Sequence, residues 1–242
     1  MRHAPGTELL DDPAADPVAV RRSLTNIARA NRLFGGTAAV LWGLGQVLEG
    51  PKSEVRSARG AEGTDLGPRT SHFVLLDIGT GAGDIPAAAR RWGTARGLSL
   101  GTVGLERLRP AAQLARSPTL PVTLGCLTAL PLRDRSVDLV VVSQVLHHLS
   151  AETAIQLLQD AGRLARRGVV IADLLRSRTA ATLFGVAARA LGFDRHTRVD
   201  GMTSVARGYR VDELAALCAA AGVPATVTGR PGWRVVAWWR TP

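Results

Sequence analysis

Lysine is almost missing from these 242 residues: Lys52 is the only one, so the formal charge of +10 is carried by arginine. Aromatic residues are also scarce, at 4%. A chain with few rings has few platforms on which nucleobases could stack. The arginines are scattered rather than run together, so they read as a dispersed solvated charge rather than a nucleic-acid surface. There are only two cysteines, Cys126 and Cys218, far apart and without metal-ligand spacing; reduced thiols of a cytoplasmic protein are expected, and no metal site. Long apolar runs are lacking too. The segment from Gly36 to Leu48 is apolar but too short to cross a bilayer, and no apolar signal core follows Met1-Arg2-His3-Ala4-Pro5-Gly6. No membrane span is expected, and no internal repeat is visible.

What is present is a globular pattern, 46% hydrophobic, long enough for one domain with an appendage. Residues 1–50 read as a helical extension: a polar stretch to Pro17, loosely ordered, then helices over 18–34 and 37–48 separated by Gly35-Gly36. Residues 51–70, rich in Gly, Ser, Pro, Glu and Arg, read as a flexible linker. From 71 to 242 strands and helices alternate: strands near 72–78, 100–105, 121–125, 137–143 and 168–173, with helices near 84–96, 109–117, 151–166 and 177–191 between and after them. Such alternation predicts a parallel sheet with right-handed crossovers. Residues 192–209 read as a long polar irregular loop, 211–221 as a helix burying Cys218, and 225–228 with 234–239 as a closing antiparallel hairpin.

The most informative stretch is Phe73-Val74-Leu75-Leu76-Asp77-Ile78-Gly79-Thr80-Gly81-Ala82-Gly83-Asp84. An apolar strand ends in an acid, glycines follow at alternate positions, and a helix begins at Asp84. The third glycine is misplaced for a dinucleotide fingerprint. A carboxylate facing the turn also disfavours a pyrophosphate. It suits a cation, by Coulomb attraction. The motif Asp77-x-Gly79-x-Gly81-x-Gly83 resembles the first motif of the Rossmann-like S-adenosylmethionine-dependent methyltransferases, whose cofactor carries a sulfonium and an ammonium.

That resemblance, which covers the chain from about residue 72, implies an α/β fold with a mostly parallel seven-stranded sheet, helices on both faces and a terminal antiparallel hairpin. It implies S-adenosyl-L-methionine as cofactor, held by Asp77, Gly79, Thr80, Gly81 and Gly83, by Glu106 with Arg107 at the end of the second strand for the ribose, by Cys126 and Leu127 at the adenine, and by Ser143 and Gln144 beside the methionine part. Cys126 stands where the family commonly carries an aspartate, and a thiol is the weaker acceptor. The segment Asn31-Arg32-Leu33-Phe34-Gly35 resembles quinone-biosynthesis methyltransferases, which makes Arg32 a candidate for the cofactor carboxylate, and the N-terminal helices a candidate lid over the substrate pocket.

Phe193-Asp194-Arg195-His196 and the run Asp200 to Tyr209 resemble methyltransferases that accompany type III polyketide synthases. Asp173, His196, Asp200 and Tyr209 are therefore the candidate substrate residues. Methyl transfer from a sulfonium needs orientation above all, but a phenol or enol acceptor must lose a proton. His148, ahead of His147, is the candidate proton acceptor; the alternative is that the pair shapes its loop. The expected activity is methylation of a small aromatic or polyketide-like acceptor, more on oxygen than on carbon. An RNA methyltransferase and a cofactor-binding protein without transferase activity are the alternatives. A homodimer is compatible with the sequence.

Overall fold

The computed structural model describes residues 8–49, 72–127, 130 and 132–242. The expected linker lies outside the described residues, as do residues 1–7 of the extension. Strands β1 (His72–Ile78), β2 (Ser99–Glu106), β3 (Val122–Leu124), β4 (Val137–Ser143), β5 (Ala165–Leu174), β6 (Thr226–Arg230) and β7 (Arg234–Arg240) form one sheet. Their spatial order is β3-β2-β1-β4-β5-β7-β6. The first five are parallel; β7 runs antiparallel to both β5 and β6. The order of strands therefore reverses between β1 and β4, which opens a crevice at their carboxyl ends.

The strands sit where they do because alternate side chains are apolar on both faces. One face presents Leu76, Ile78, Val140, Val142, Val169, Ile171, Val235, Ala237 and Trp239, packed under helices α5 (Ala151–Leu164) and α8 (Val211–Ala220). Helix α5 matches this layer with Ala154, Leu157, Leu158, Ala161 and Leu164, a stripe at helical spacing, and its first turn is capped by Ser150 Oγ accepting from Thr153 N–H at 3.2 Å. Cys218 is buried here, as expected of a core filler.

The opposite face, with Phe73, Leu75, Leu139, Val141, Val170 and Val236, is covered by α2 (Gly36–Leu48) and α3 (Asp84–Thr94). Helix α2 buries Val40 and Leu44 completely against this face, so it is part of the sheet's main core. Helix α1 (Pro17–Leu33) packs instead beside α4 (Arg109–Ala115), through Val20, Leu24, Leu108 and Ala111, above the carboxyl edge of the sheet.

Two expectations need correction. Residues from Glu8 onward are not loose: Leu9–Asp11 form a 3-10 turn tied down by Arg107, Asp200, Ser204 and Arg207. The expected irregular stretch holds a helix, α7 (Arg195–Arg207), packed on α6 (Arg178–Ala190). Its N-cap is Asp194, which accepts from Thr197 N–H at 3.0 Å. A Cβ on Gly201 would fall 2.1 Å from the Phe184 ring, so the two helices cross where α7 has no side chain. Periodicity missed α7 because polar residues face both solvent and the buried network around Glu8.

Candidate active site

A cavity of about 830 Å³ runs along the carboxyl edge of the sheet, from Cys126 and Leu127 at one end to Phe184 and Trp233 at the other. This is the size range of ligand pockets. At its floor, β1 delivers Asp77 into the crevice and the chain turns through the glycines. Gly79 has φ 74°, and a Cβ there would lie 2.5 Å from Val145 Cγ2, so no larger residue fits without displacing the β4 loop. Gly83, also at positive φ, faces Leu120 and Ala115 rather than the cavity. It serves the packing of α3, not the ligand.

Asp77 is 1% exposed, and its Oδ1 has no hydrogen-bond partner among the described residues; neither does Thr80 Oγ1. Burial pushes the Asp77 carboxyl up to about 8, against the neighbouring Thr80 hydroxyl, which favours the ionised form, and with the nearby carboxylates of Asp84 and Glu106. Such an orphaned acid is stabilised as a carboxylate only when a cation arrives. Glu106 is fixed by three backbone N–H groups: Oε1 accepts from Arg107 at 2.8 Å and Leu108 at 2.9 Å, and Oε2 accepts from Gly81 at 3.0 Å. Glu106 lines the cavity, and the one lone pair left on Oε2 can accept from a ligand hydroxyl. Cys126 is exposed and Leu127 lines the same end.

At the end of β4, Ser143 Oγ is buried without a hydrogen-bond partner among the described residues, and Gln144 adopts φ 56°, a conformation rare outside glycine. Gln144 Nε2 donates to Asn31 Oδ1, and Asn31 Nδ2 donates to Asp84 Oδ2 at 3.1 Å. Arg32, the expected cofactor contact, is exposed and outside the cavity lining; the residue before it, the buried Asn31, lines the cavity instead. One helical position is about 100°, enough to exchange inside for outside.

Beyond β4 a 3-10 turn carries Leu146–His148. His147 is buried, and its Nδ1 lies 2.6 Å from Asp173 Oδ1. His148 is part-buried, with Nδ1 2.8 Å from Asp11 Oδ1. Burial opposes ionisation of Asp173, but the charge and hydrogen bond of His147 hold it low; at Asp11, burial is likewise outweighed by hydrogen bonds from His148, the Glu8 N–H and Arg207. Ionised carboxylates only accept, so both Nδ1 atoms carry a proton, and Nε2 is the ring nitrogen each carboxylate leaves uncontacted. The rings lie 4.1 Å apart, centroid to centroid.

Glu8 completes this corner, its Oε2 3.9 Å from His148 Nε2. Glu8, His147 and His148 each offer a donor atom within 4.8 Å of the others, the one group among the described residues that could hold a metal ion. The Glu8 carboxylate is already taken by Arg207 Nη1 at 3.1 Å and Ser204 Oγ at 2.6 Å.

The expected substrate residues divide. Asp200 lines the cavity and accepts from Leu9 N–H at 3.1 Å. Asp173 sits one layer behind the wall as the partner of His147. Tyr209 is also behind it, donating to the Leu146 carbonyl at 3.1 Å, with burial pushing its hydroxyl further up from the usual range. His196 is exposed and outside the cavity. Sequence reasoning missed Glu8, Asp11, Asn31, Arg207 and Arg234. Two acids three positions apart, Glu8 and Asp11, were a local signal for the first two.

A Rossmann-like sheet whose switch point carries an acid, a glycine turn and a buried glutamate is the arrangement expected of an S-adenosylmethionine site. Residues 76–172 match the family described as a methyltransferase domain. No curated protein sequence matches the chain. Among solved structures it is similar in fold to a SAM-dependent methyltransferase from Aquifex aeolicus (16% identity, 72% of this chain and 85% of that one, TM-score 0.53). It is also similar to human N-acetylserotonin methyltransferase in complex with SAM (13% identity, 98% of this chain and 60% of that one, TM-score 0.63). A third similar fold is an O-methyltransferase from Nostoc punctiforme, itself described as putative (16% identity, 69% and 52%, TM-score 0.51). No helix among the described residues is long and apolar enough to cross a membrane.

Proposed function

We propose that this methyltransferase acts on an oxygen of a small aromatic or polyketide-type acceptor. The observation that carries the reading is the imidazole pair, each ring fixed by a carboxylate on its Nδ1, beside a chamber walled by Phe34, Leu183, Phe184, Phe193 and Trp233. S-adenosylmethionine, when bound, supplies an electrophilic methyl group on a sulfonium. Asp77 receives positive charge, Glu106 a ribose hydroxyl, Leu127 the adenine, and Gln144 with Asn31 the methionine part.

His148 Nε2 would accept the proton of the acceptor hydroxyl as that oxygen is methylated. Asp11 stabilises the imidazolium that results. His147 is deeper and acts as the support of His148, locked by Asp173. Helix α1 and the Leu9–Asp11 turn form the wall that keeps water from this step, and Asp200 holds that turn in place.

Incubation with S-adenosylmethionine and a panel of phenols, naphthols and enolic pyrones tests the reading. A product heavier by one methyl group, lost on acid treatment specific for aryl ethers, is expected. Methylation at carbon only, or none across the panel with cofactor bound, would overturn it. Retention on RNA with a steep salt dependence would point to a nucleic-acid acceptor instead.

A further inference from the structure

Arg234 opens β7, opposite Leu174 at the end of β5. It is 4% exposed, yet it lines the cavity. Nε donates to the Phe34 carbonyl at 3.2 Å and Nη1 reaches Gln144 Oε1 at a long 3.5 Å. Among the described residues Nη2 has no acceptor, and no carboxylate lies within 4.0 Å of the guanidinium. The carboxylate whose field it feels, Asp173, is already occupied by His147 Nδ1 and the Leu174 N–H. Burial holds the guanidinium down to about 10 against that field.

The arginine is built in. A Cβ on Gly232 would lie 2.4 Å from the Phe34 carbonyl oxygen, and one on Gly35 would lie 2.8 Å from that of Pro231. The turn before β7 therefore presses against the α1–α2 junction. Trp233 is held at φ 52°, and its carbonyl accepts from Leu175 N–H at 2.9 Å. A charge fixed this firmly in an apolar wall needs a counter-ion. A guanidinium fork matches the two oxygens of a carboxylate.

Position on the sheet favours the acceptor over the cofactor, whose methionine part is adjoined only through the long Gln144 contact. Glycine turn, ribose acid and adenine end lie over β1, β2 and β3. Arg234 is three strands from β1 on the other side of the switch point, about 14 Å at the usual strand spacing. The imidazole pair hangs between. We infer that Arg234 binds an anionic oxygen group on the methyl acceptor, so that the acceptor class is an aromatic carboxylate rather than a neutral phenol. This rests on the methyltransferase reading and deepens it.

The test uses the full chain saturated with S-adenosylhomocysteine, with 1-hydroxy-2-naphthoate and 1-hydroxy-2-naphthamide as probes in calorimetry. The acid is expected to bind at least tenfold more tightly than the amide in the wild type. Arg234→Gln should abolish that preference and Arg234→Lys restore part of it, each with unchanged affinity for S-adenosylhomocysteine. Equal binding of acid and amide to the wild type overturns the inference, a result independent of whether any variant folds. A tenfold loss of S-adenosylhomocysteine affinity in Arg234→Lys would also overturn it, by assigning the arginine to the cofactor. Failure of the wild type to bind S-adenosylhomocysteine would sink the methyltransferase reading itself, and this inference with it.

Discussion

The two halves of the cavity treat charge in opposite ways. Over β1 and β2, Asp77, Asp84 and Glu106 gather three carboxyl groups with no ion pair to any of them among the described residues, and burial raises the first two above the usual range. Over β4 and β5, Glu8, Asp11 and Asp173 are all partnered, by Arg207, His148 and His147. One half, the socket, is a cluster of acids without counter-ions among the described residues, two of them biased towards the neutral form. The other is organised beforehand, as a site must be whose groups steer a reaction rather than capture a ligand.

Breaking the socket should have the largest effect. Asp77→Asn removes a charge-assisted contact worth about 1.5–3 kcal/mol, or roughly tenfold to a hundredfold in cofactor affinity by calorimetry. The same variant should stabilise the ligand-free fold. A carboxyl raised to about 8 gives its full contribution below its unfolded value of 3.8, and that contribution is lost as pH climbs through 8. Thermal denaturation should therefore show the variant gaining on the wild type from acid to alkaline pH. A parallel pair of melting curves would mean that Asp77 is ionised in the free protein.

Breaking the organised half should spare the socket. His148→Ala is expected to lower turnover by roughly a hundredfold while leaving S-adenosylhomocysteine affinity within about twofold of the wild type. A variant that turns over normally would remove His148 from proton transfer.

A milder perturbation needs no mutation. Because a cation binds the ionised form of Asp77, cofactor affinity should rise with pH between 6 and 8, by up to about tenfold per unit. Titrations in buffers of different ionisation enthalpy should show a proton released. The smallest effect separates two neighbours: Asn31→Ala should weaken cofactor binding several-fold, about 1 kcal/mol, and Arg32→Ala should not change it. Equal losses would mean that α1 is rotated from the position described.

The contrast also explains what could be read from the chain. The socket is local: Asp77 through Gly83 is one strand and one turn, and Glu106 ends the next strand, so a short motif and the resemblance it carries were enough to mark them. Strands β1 to β5 and the closing hairpin were legible for the same reason. The acceptor half is assembled from distant segments, His148 meeting Asp11 across 137 positions and Arg207 meeting Glu8 across 199. No local pattern encodes such pairs. Helix α7 was hidden because its polar residues are bought inward by that network, which erases the apolar stripe. Arg32 was expected where Asn31 stands because the bounds of a helix carry no rotational phase.

Arg107 follows the ribose acid Glu106 directly, and its Nη2 holds the carbonyls of Leu10 at 2.7 Å and Asp11 at 3.0 Å. Asp11 in turn orients His148. The imidazole is therefore aligned only while the N-terminal turn is docked, and the turn is docked by the residue adjoining the cofactor contact. Under the proposed function, alignment of the His148 ring depends on a contact made from the ribose end of the cavity: with the turn displaced from Arg107, Asp11 no longer fixes Nδ1.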